Sequence, residues 1–348
     1  MTRSKCYNLF FIMLFTVCLT AFVFTASPCD AAKMKRILVV ETMPVPVVLE
    51  YSKWFMNGMR DLGYQDENVQ FEILRAEGSR EKAEKLLREA MEKGKPDLVV
   101  TFATLASQAA YTIFKGTDVP ILFSVVADPV GAGIVKNIGK STGTNITGRV
   151  YSLFRDVKID LTMRLVRQVV QDRPVRFGFV YSNYPSSRGD LKGLQSITKD
   201  RRDVVFVPYE IKYREVPTGI PDMLHDVSKG LKELTGKIDF LWQQVGPMAE
   251  VKAFTELQIK EGSCPIALGN TMNSVQRGAL IAVIPNIERG GREVAGLANS
   301  ILKGANPGDI PVIVPQAFDL CVNLTTAIKL GIVIPSDMLT LAGKHIYR

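Results

Sequence analysis

What most restricts the fold is the regular succession, from Lys35 onward, of short apolar runs and segments with helical periodicity. Ile37–Val40, Val69–Leu74, Leu98–Phe102 and Ile121–Ala127 read as strands, and the mainly uninterrupted apolar character of three of them predicts burial on both faces. Between the strands, Val48, Tyr51, Phe55, Met59 and Leu62 recur at helical spacing and stop at Gly63. Ser79 is placed to cap a second helix with Ala83, Leu86, Leu87, Ala90 and Met91 on one side, and a third spans Thr104 to Phe114. Parallel strands need a crossover, so successive βα units specify a doubly wound α/β sheet with helices on both faces.

The run from Ile121 stops at Asp128-Pro129, an acid suited to capping and a proline suited to a first helical turn. A short helix is expected there, carrying Val130, Ile134, Val135 and Ile138 and ending at Gly139. Asn145–Tyr151 then reads as a strand crossing into a second lobe. From Asp156 the alternation begins again, with strands at Val175–Tyr181, Asp203–Val207, Ile238–Trp242 and Pro265–Leu268. The tail adds a strand at Ala279–Ile284, a helix at Ile287–Leu302 and extended pieces near 310–323. It is read as returning first to lobe one and then to lobe two, which puts hinge strands near 146–151, 277–283 and 311–318.

Residues 1–32 stand outside this pattern. Arg3 and Lys5 precede the apolar stretch Leu9–Phe24, and small residues follow up to Ala32, the order of a secretory signal peptide rather than a membrane anchor. Neither Cys18 nor Cys29 sits in a good lipoprotein box, so a lipid anchor is not favoured and a periplasmic protein is expected. The remaining chain suits two lobes of about 150 residues each. The formal charge of +8 comes from basic residues interleaved with acids, which gives no nucleic-acid surface. Cys264 and Cys321 are too few for a disulfide framework, and free thiols are favoured over a bridge. The two histidines, His225 and His345, are far apart. No metal-ligand spacing, nucleophile elbow or complete dinucleotide fingerprint appears, so the reading is not an enzyme and without cofactor or metal.

DPVGAGIVKNI followed by GTNITG resembles the signature of one family of ABC-transporter substrate-binding proteins, that of the tryptophan/tyrosine-type binding proteins. The likeness continues through VRFGFVYSNYPSS, the run RGALIAVIPNIERGGREVAGLANSILKGANPGDIPV and FDLCVNLTTAIKLGIVIP, and so covers essentially the whole chain after residue 32. The resemblance implies a type 1 periplasmic-binding fold: two doubly wound Rossmann-like βα lobes joined by three hinge strands, closing on a small ligand. Lobe one is expected over 33–148 plus 279–310 and lobe two over 149–278 plus 311–348. It also implies a monomer that delivers an amino acid or related carboxylate to an ABC permease. A ligand-sensing subunit for a membrane kinase or receptor is the alternative.

In such a fold the cleft is lined by loops at strand C-termini. From lobe one these offer Thr42, Met43, Thr101, Phe102, Thr104, Ser124 and Asp128; from lobe two, Tyr181, Asn183, Gln244, Asn270 and Thr271. The helix after Thr101–Thr104 can present free N–H groups to a ligand carboxylate. Asp128 reads either as a partner for a ligand ammonium or as an ordinary cap. Phe102, Tyr151, Tyr181 and Trp242 are candidates for stacking on the ligand. Many relatives carry acids or an Asp-Asn pair at the strand ends of lobe two, where this chain reads Gln243-Gln244 and Gly269-Asn270. Neutral amides hydrogen-bond carbonyl or carboxylate groups but cannot neutralise an ammonium. That departure argues against an ordinary amino-acid ligand and leaves a peptide-like, nucleobase-like or carboxylate ligand open.

Overall fold

A computed structural model describes residues 34–151 and 154–348; the expected signal peptide lies outside them. The first lobe is a five-stranded parallel sheet in the order β2-β1-β3-β4-β5, from Lys35–Glu41 (β1), Val69–Arg75 (β2), Leu98–Phe102 (β3), Ile121–Val126 (β4) and Ile146–Val150 (β5). Its helices are Pro46–Asp61 (α1), Arg80–Glu92 (α2) and Thr104–Phe114 (α3). β3 and β4 are buried along their whole length, as their apolar runs require, and β5 is buried as well although it carries Thr147 and Arg149.

The second lobe is a seven-stranded sheet in which only one neighbouring pair is antiparallel. Its strands are Val175–Ser182 (β6), Val204–Ile211 (β7), Phe240–Trp242 (β8), Ile266–Gly269 (β9), Ile281–Pro285 (β10), Phe318–Asn323 (β11) and Ile346–Tyr347 (β12). The order is β12-β11-β10-β9-β8-β6-β7. Its helices are Arg155–Val166 (α4), Pro185–Ile197 (α5), Ile220–Leu234 (α6), Lys252–Glu261 (α7) and Met272–Arg277 (α8), then Leu324–Lys329 (α10) and Ser336–Ala342 (α11). The intervening helix, Ile287–Leu302 (α9), leaves this lobe and packs on α1 of the first. Glycines allow the approach: a Cβ at Gly58 would meet Ala295 at 2.8 Å, and one at Gly290 would meet the Tyr51 ring at 2.4 Å.

Two expectations are corrected here. β10 pairs with β9 and β11, so residues 281–285 belong to the second sheet rather than to lobe one. The second crossing lies at Asn286, between β10 and α9, not at 277–283. The short helix after Asp128-Pro129 is replaced by turns, since Gly133 adopts a left-handed φ of 73° that a helix cannot contain. Ile134 and Val135 are still buried, whereas Val130 and Ile138 are exposed.

The first crossing follows β5. The third runs back along it: the Ile313 N–H donates to the Gly148 carbonyl at 2.8 Å, and the Val150 N–H donates to the Ile313 carbonyl at 2.9 Å. Residues 311–313 thus still edge the first sheet, and the chain enters the second at Phe318. Each lobe has a hydrophobic cluster of its own on one face of its sheet, and a third runs through both lobes. That third cluster includes Val45, Val125, Tyr151, Tyr184, Val245 and Met248, which meet where the lobes face each other.

Candidate ligand-binding cleft

Strand C-termini from both sheets converge on one cleft. An inner cavity of about 40 Å³ is enclosed by residues following β1, β3, β4 and β5 of the first sheet and β6, β8 and β9 of the second. Its wall is mainly apolar, with Met43, Val47, Val48 and Val125 from one side and Tyr184 and Val245 from the other. An outer cavity of about 320 Å³ adjoins it and reaches Ile284, Pro285 and Ile287 at the second crossing. Val47, Tyr151, Glu250 and Asn270 line both. The inner space admits only water-sized guests, and the outer one is at the lower limit of a small-molecule pocket.

The lobe-one backbone is strained at two points of this wall. Ala103 has φ 75° and ψ 168°, a region populated almost only by glycine, and the β-branched Val125 has φ 57°. Ala103 is held there because its N–H donates to the Ser124 carbonyl at 2.9 Å while its own carbonyl accepts the Ser107 hydroxyl at 2.9 Å. Such conformations persist where surrounding bonds over-determine them, commonly at binding sites.

Among the residues expected to contact ligand, Met43 and Thr104 line the inner cavity, Asn270 lines both cavities, and Thr271 lines the outer one. The remainder are placed elsewhere, each for a visible reason. Thr42 is fully buried; its hydroxyl donates to the Phe102 carbonyl at 2.7 Å and accepts the Ala106 N–H at 3.1 Å. Thr101 bonds Ser107 at 2.8 Å, and Phe102 packs on Phe55 in the core. The Ser124 hydroxyl is buried without a hydrogen bond but does not reach the cavity wall. Asp128 caps its own turn, its Oδ1 accepting the Gly131 N–H at 2.8 Å, and its carboxylate lies against Gly189 of α5 in the opposite lobe.

On the second lobe, Asn183 accepts the Tyr213 N–H at 2.7 Å, and Tyr181 lies beside Glu210, outside the wall. The Gln244 Oε1 accepts the Ser182 N–H at 3.2 Å, leaving its Nε2 buried and unbonded. Gln243 positions a cavity residue: its Oε1 accepts the Asn270 N–H at 3.1 Å, while its Nε2 donates to Thr255 and Gln258. Trp242 belongs to the core, edge-on to Phe177 at 5.3 Å. Of the four aromatic candidates for stacking, Tyr151 alone lines the cleft.

Two residues that the sequence reading passed over complete the site. Tyr184, immediately before the helix-starting Pro185, packs edge-on to Tyr213 at 4.9 Å and places a buried, unbonded hydroxyl in the inner wall. The Thr104 hydroxyl and Leu105 amide at the N-terminus of α3 lie beside it, and burial raises its phenol well above the ordinary value. The N-cap residue Ala103 supplies no side-chain bond and Thr42 takes only the Ala106 N–H, so the first turn of α3 retains donors and a partial positive charge. Glu250 ends a short 3-10 turn, Pro247–Glu250, after β8. Burial pushes its carboxyl up to about 7; the Val47 amide opposes that rise and the Glu50 carboxylate adds to it. Cys264 and Cys321 are free thiols. Among the described residues, no cluster of metal-ligating side chains occurs and no helix is long and apolar enough to cross a membrane.

A family model described as ABC transporter substrate binding protein matches residues 36–346. The chain belongs to that family. As a member of it, this substrate-binding protein is similar to a tyrosine-binding protein of Clostridioides difficile, with 26% identity over 300 residues covering 85% of this chain and 81% of the relative. Its fold matches that of an ABC domain from Streptococcus pneumonia in complex with L-Trp, with a TM-score of 0.77 and 22% identity. That match covers 91% of this chain and 100% of the other. The ligand-free, open structure of a substrate binding protein with adhesive properties from Clostridium difficile matches with a TM-score of 0.61 and 24% identity, covering 90% and 98% of the two chains. These likenesses bear out the two-lobed periplasmic-binding fold that the motifs imply.

Proposed function

We propose that this substrate-binding protein is the extracytoplasmic component of an ABC importer and that it closes its lobes on one small amino-acid-type ligand for delivery to a membrane permease. The observation that carries this reading is the cleft itself, enclosed from both lobes at strand C-termini and walled by tyrosines, valines and Met43. A wall supplied by both lobes makes ligand contacts favour the closed arrangement, which a hinged binding protein requires. The tyrosine-binding relative and the neighbour in complex with L-Trp support an amino acid with an aromatic side chain.

The test is isothermal titration of the purified chain, without residues 1–32, against L-tyrosine and L-tryptophan, with ribose and succinate as competing classes. Saturable one-to-one binding of an aromatic amino acid is expected, with the negative heat-capacity change of apolar burial. Heat only from the sugar or the dicarboxylate would replace this reading.

A further inference from the structure

We propose that Glu250 is the partner of a cationic amine on the ligand and restricts this cleft to amine-bearing molecules. The inference rests on the amino-acid reading above and assigns the charge that Gln243 and Gln244 do not supply.

Among the described residues, Glu250 is the only charged side chain in the inner wall, and no lysine or arginine lines either cavity. The second acid, Glu50, is exposed on α1 and reaches only the outer space. Glu250 therefore sits where the inner and outer cavities meet, without a basic partner among the described salt bridges. A desolvated carboxylate without a countercharge is costly, and a second carboxylate nearby increases the cost. The Val47 amide offsets only part of it. A ligand ammonium placed between Glu250 and Asn270 would supply the missing charge and remain hydrogen-bonded on two sides.

The other end of the cavity has the complementary deficit. The Tyr184 hydroxyl is buried and unbonded beside Thr104 and Leu105, at a helix N-terminus whose N-cap residue, Ala103, supplies no side-chain bond. That end offers donors to a carboxylate. Acid at one end and donors at the other, with an apolar wall between, match a zwitterion with a hydrophobic side chain.

Glu250→Gln keeps the shape and the acceptor facing Val47 but removes the charge. The probes are L-tyrosine and L-tryptophan, together with 3-(4-hydroxyphenyl)propionate and 3-indolepropionate, which lack the amine. The wild-type chain should favour the amino acids. The variant should bind them about thirtyfold or more weakly, while binding the amine-free acids as tightly as wild type or more so. Retained binding of the amine-free acids also shows that the variant is folded. Equal amino-acid affinity in both proteins overturns the role of Glu250 and leaves the amino-acid reading standing, whereas a wild-type preference for the amine-free acids overturns both. A wild-type chain that binds neither amino acid overturns both.

Discussion

At the scale of single residues, the cleft is a set of deliberate mismatches inside an otherwise satisfied interior. Gln243 shows the satisfied case, with both ends of its amide bonded and Asn270 fixed as a result. Tyr184 shows the opposite, with a buried hydroxyl left unbonded, and Glu250 is half-buried at the cavity wall with no basic side chain lining either cavity. The raised carboxyl of Glu250 sets a pH dependence. In the empty cleft it is protonated below about 7 and ionised above, and it faces Glu50 from α1 and the Tyr151 phenol that follows β5. Binding an ammonium stabilises the ionised form. Below about 7 the carboxyl must therefore release its proton on binding, and affinity for L-tyrosine should fall by up to about tenfold per pH unit. Titrations between about pH 8 and about pH 5.5, where the ligand amine stays charged, measure this. A flat profile for wild type, or the same slope in Glu250→Gln, would show that Glu250 is not the titrating group. The sign for stability is opposite to that of a salt-bridged acid. With its carboxyl raised from 4.5 to about 7, Glu250 favours the folded empty protein most at low pH, and that contribution is lost as pH rises through about 7.

At the scale of elements, the strands were legible because parallel strands buried on both faces are written as apolar runs, as at Leu98–Phe102 and Ile121–Val126. The turn after Asp128 was not. Its apolar spacing imitates one helical face, but Gly131, Gly133 and Gly139 fall inside it, and the left-handed Gly133 breaks any helix. The second crossing was misplaced because β10 and α9 follow one another with only Asn286 between them. Sequence marks where each element ends, not which sheet it joins. The candidate site was legible at Met43, Thr104, Asn270 and Thr271, which directly follow strands. Glu250 lies beyond the strand end on a 3-10 turn that carries no periodic signal, and Tyr184 is an apolar-looking position before a proline. The return of α9 onto α1 depends on close approach. Gly290→Ala would drive a Cβ to within 2.4 Å of the Tyr51 ring, whose hydroxyl accepts from Arg149 at 3.1 Å. A loss of about 1–3 kcal/mol in denaturant unfolding is expected from such overpacking. A variant as stable as wild type would mean that α9 can shift on α1 without cost.

At the scale of the whole molecule, the three crossings lie close to one network. Arg149 on β5, next to the first and third crossings, is nearly fully buried and donates to Glu293 of α9 at 2.6 Å. Tyr51, bonded to the same arginine, stands 6.2 Å edge-on from Tyr151, which lines both cavities. The connecting strands are thus braced on the first lobe, while the second carries Tyr184, Asn270 and Glu250 to the opposite wall. The apolar residues of both lobes already meet across the cleft, and the inner space of about 40 Å³ is far below that of an amino-acid pocket. A ligand can enter only if the lobes part and can be held only if they close again. Small-angle X-ray scattering of the chain without residues 1–32, with and without saturating L-tyrosine or L-tryptophan, tests this most directly. A larger radius of gyration is expected for the free chain, with a fall, on adding ligand, towards the compact two-lobed arrangement. Saturable binding with no change in the scattering curve would contradict closure around a ligand held between the lobes.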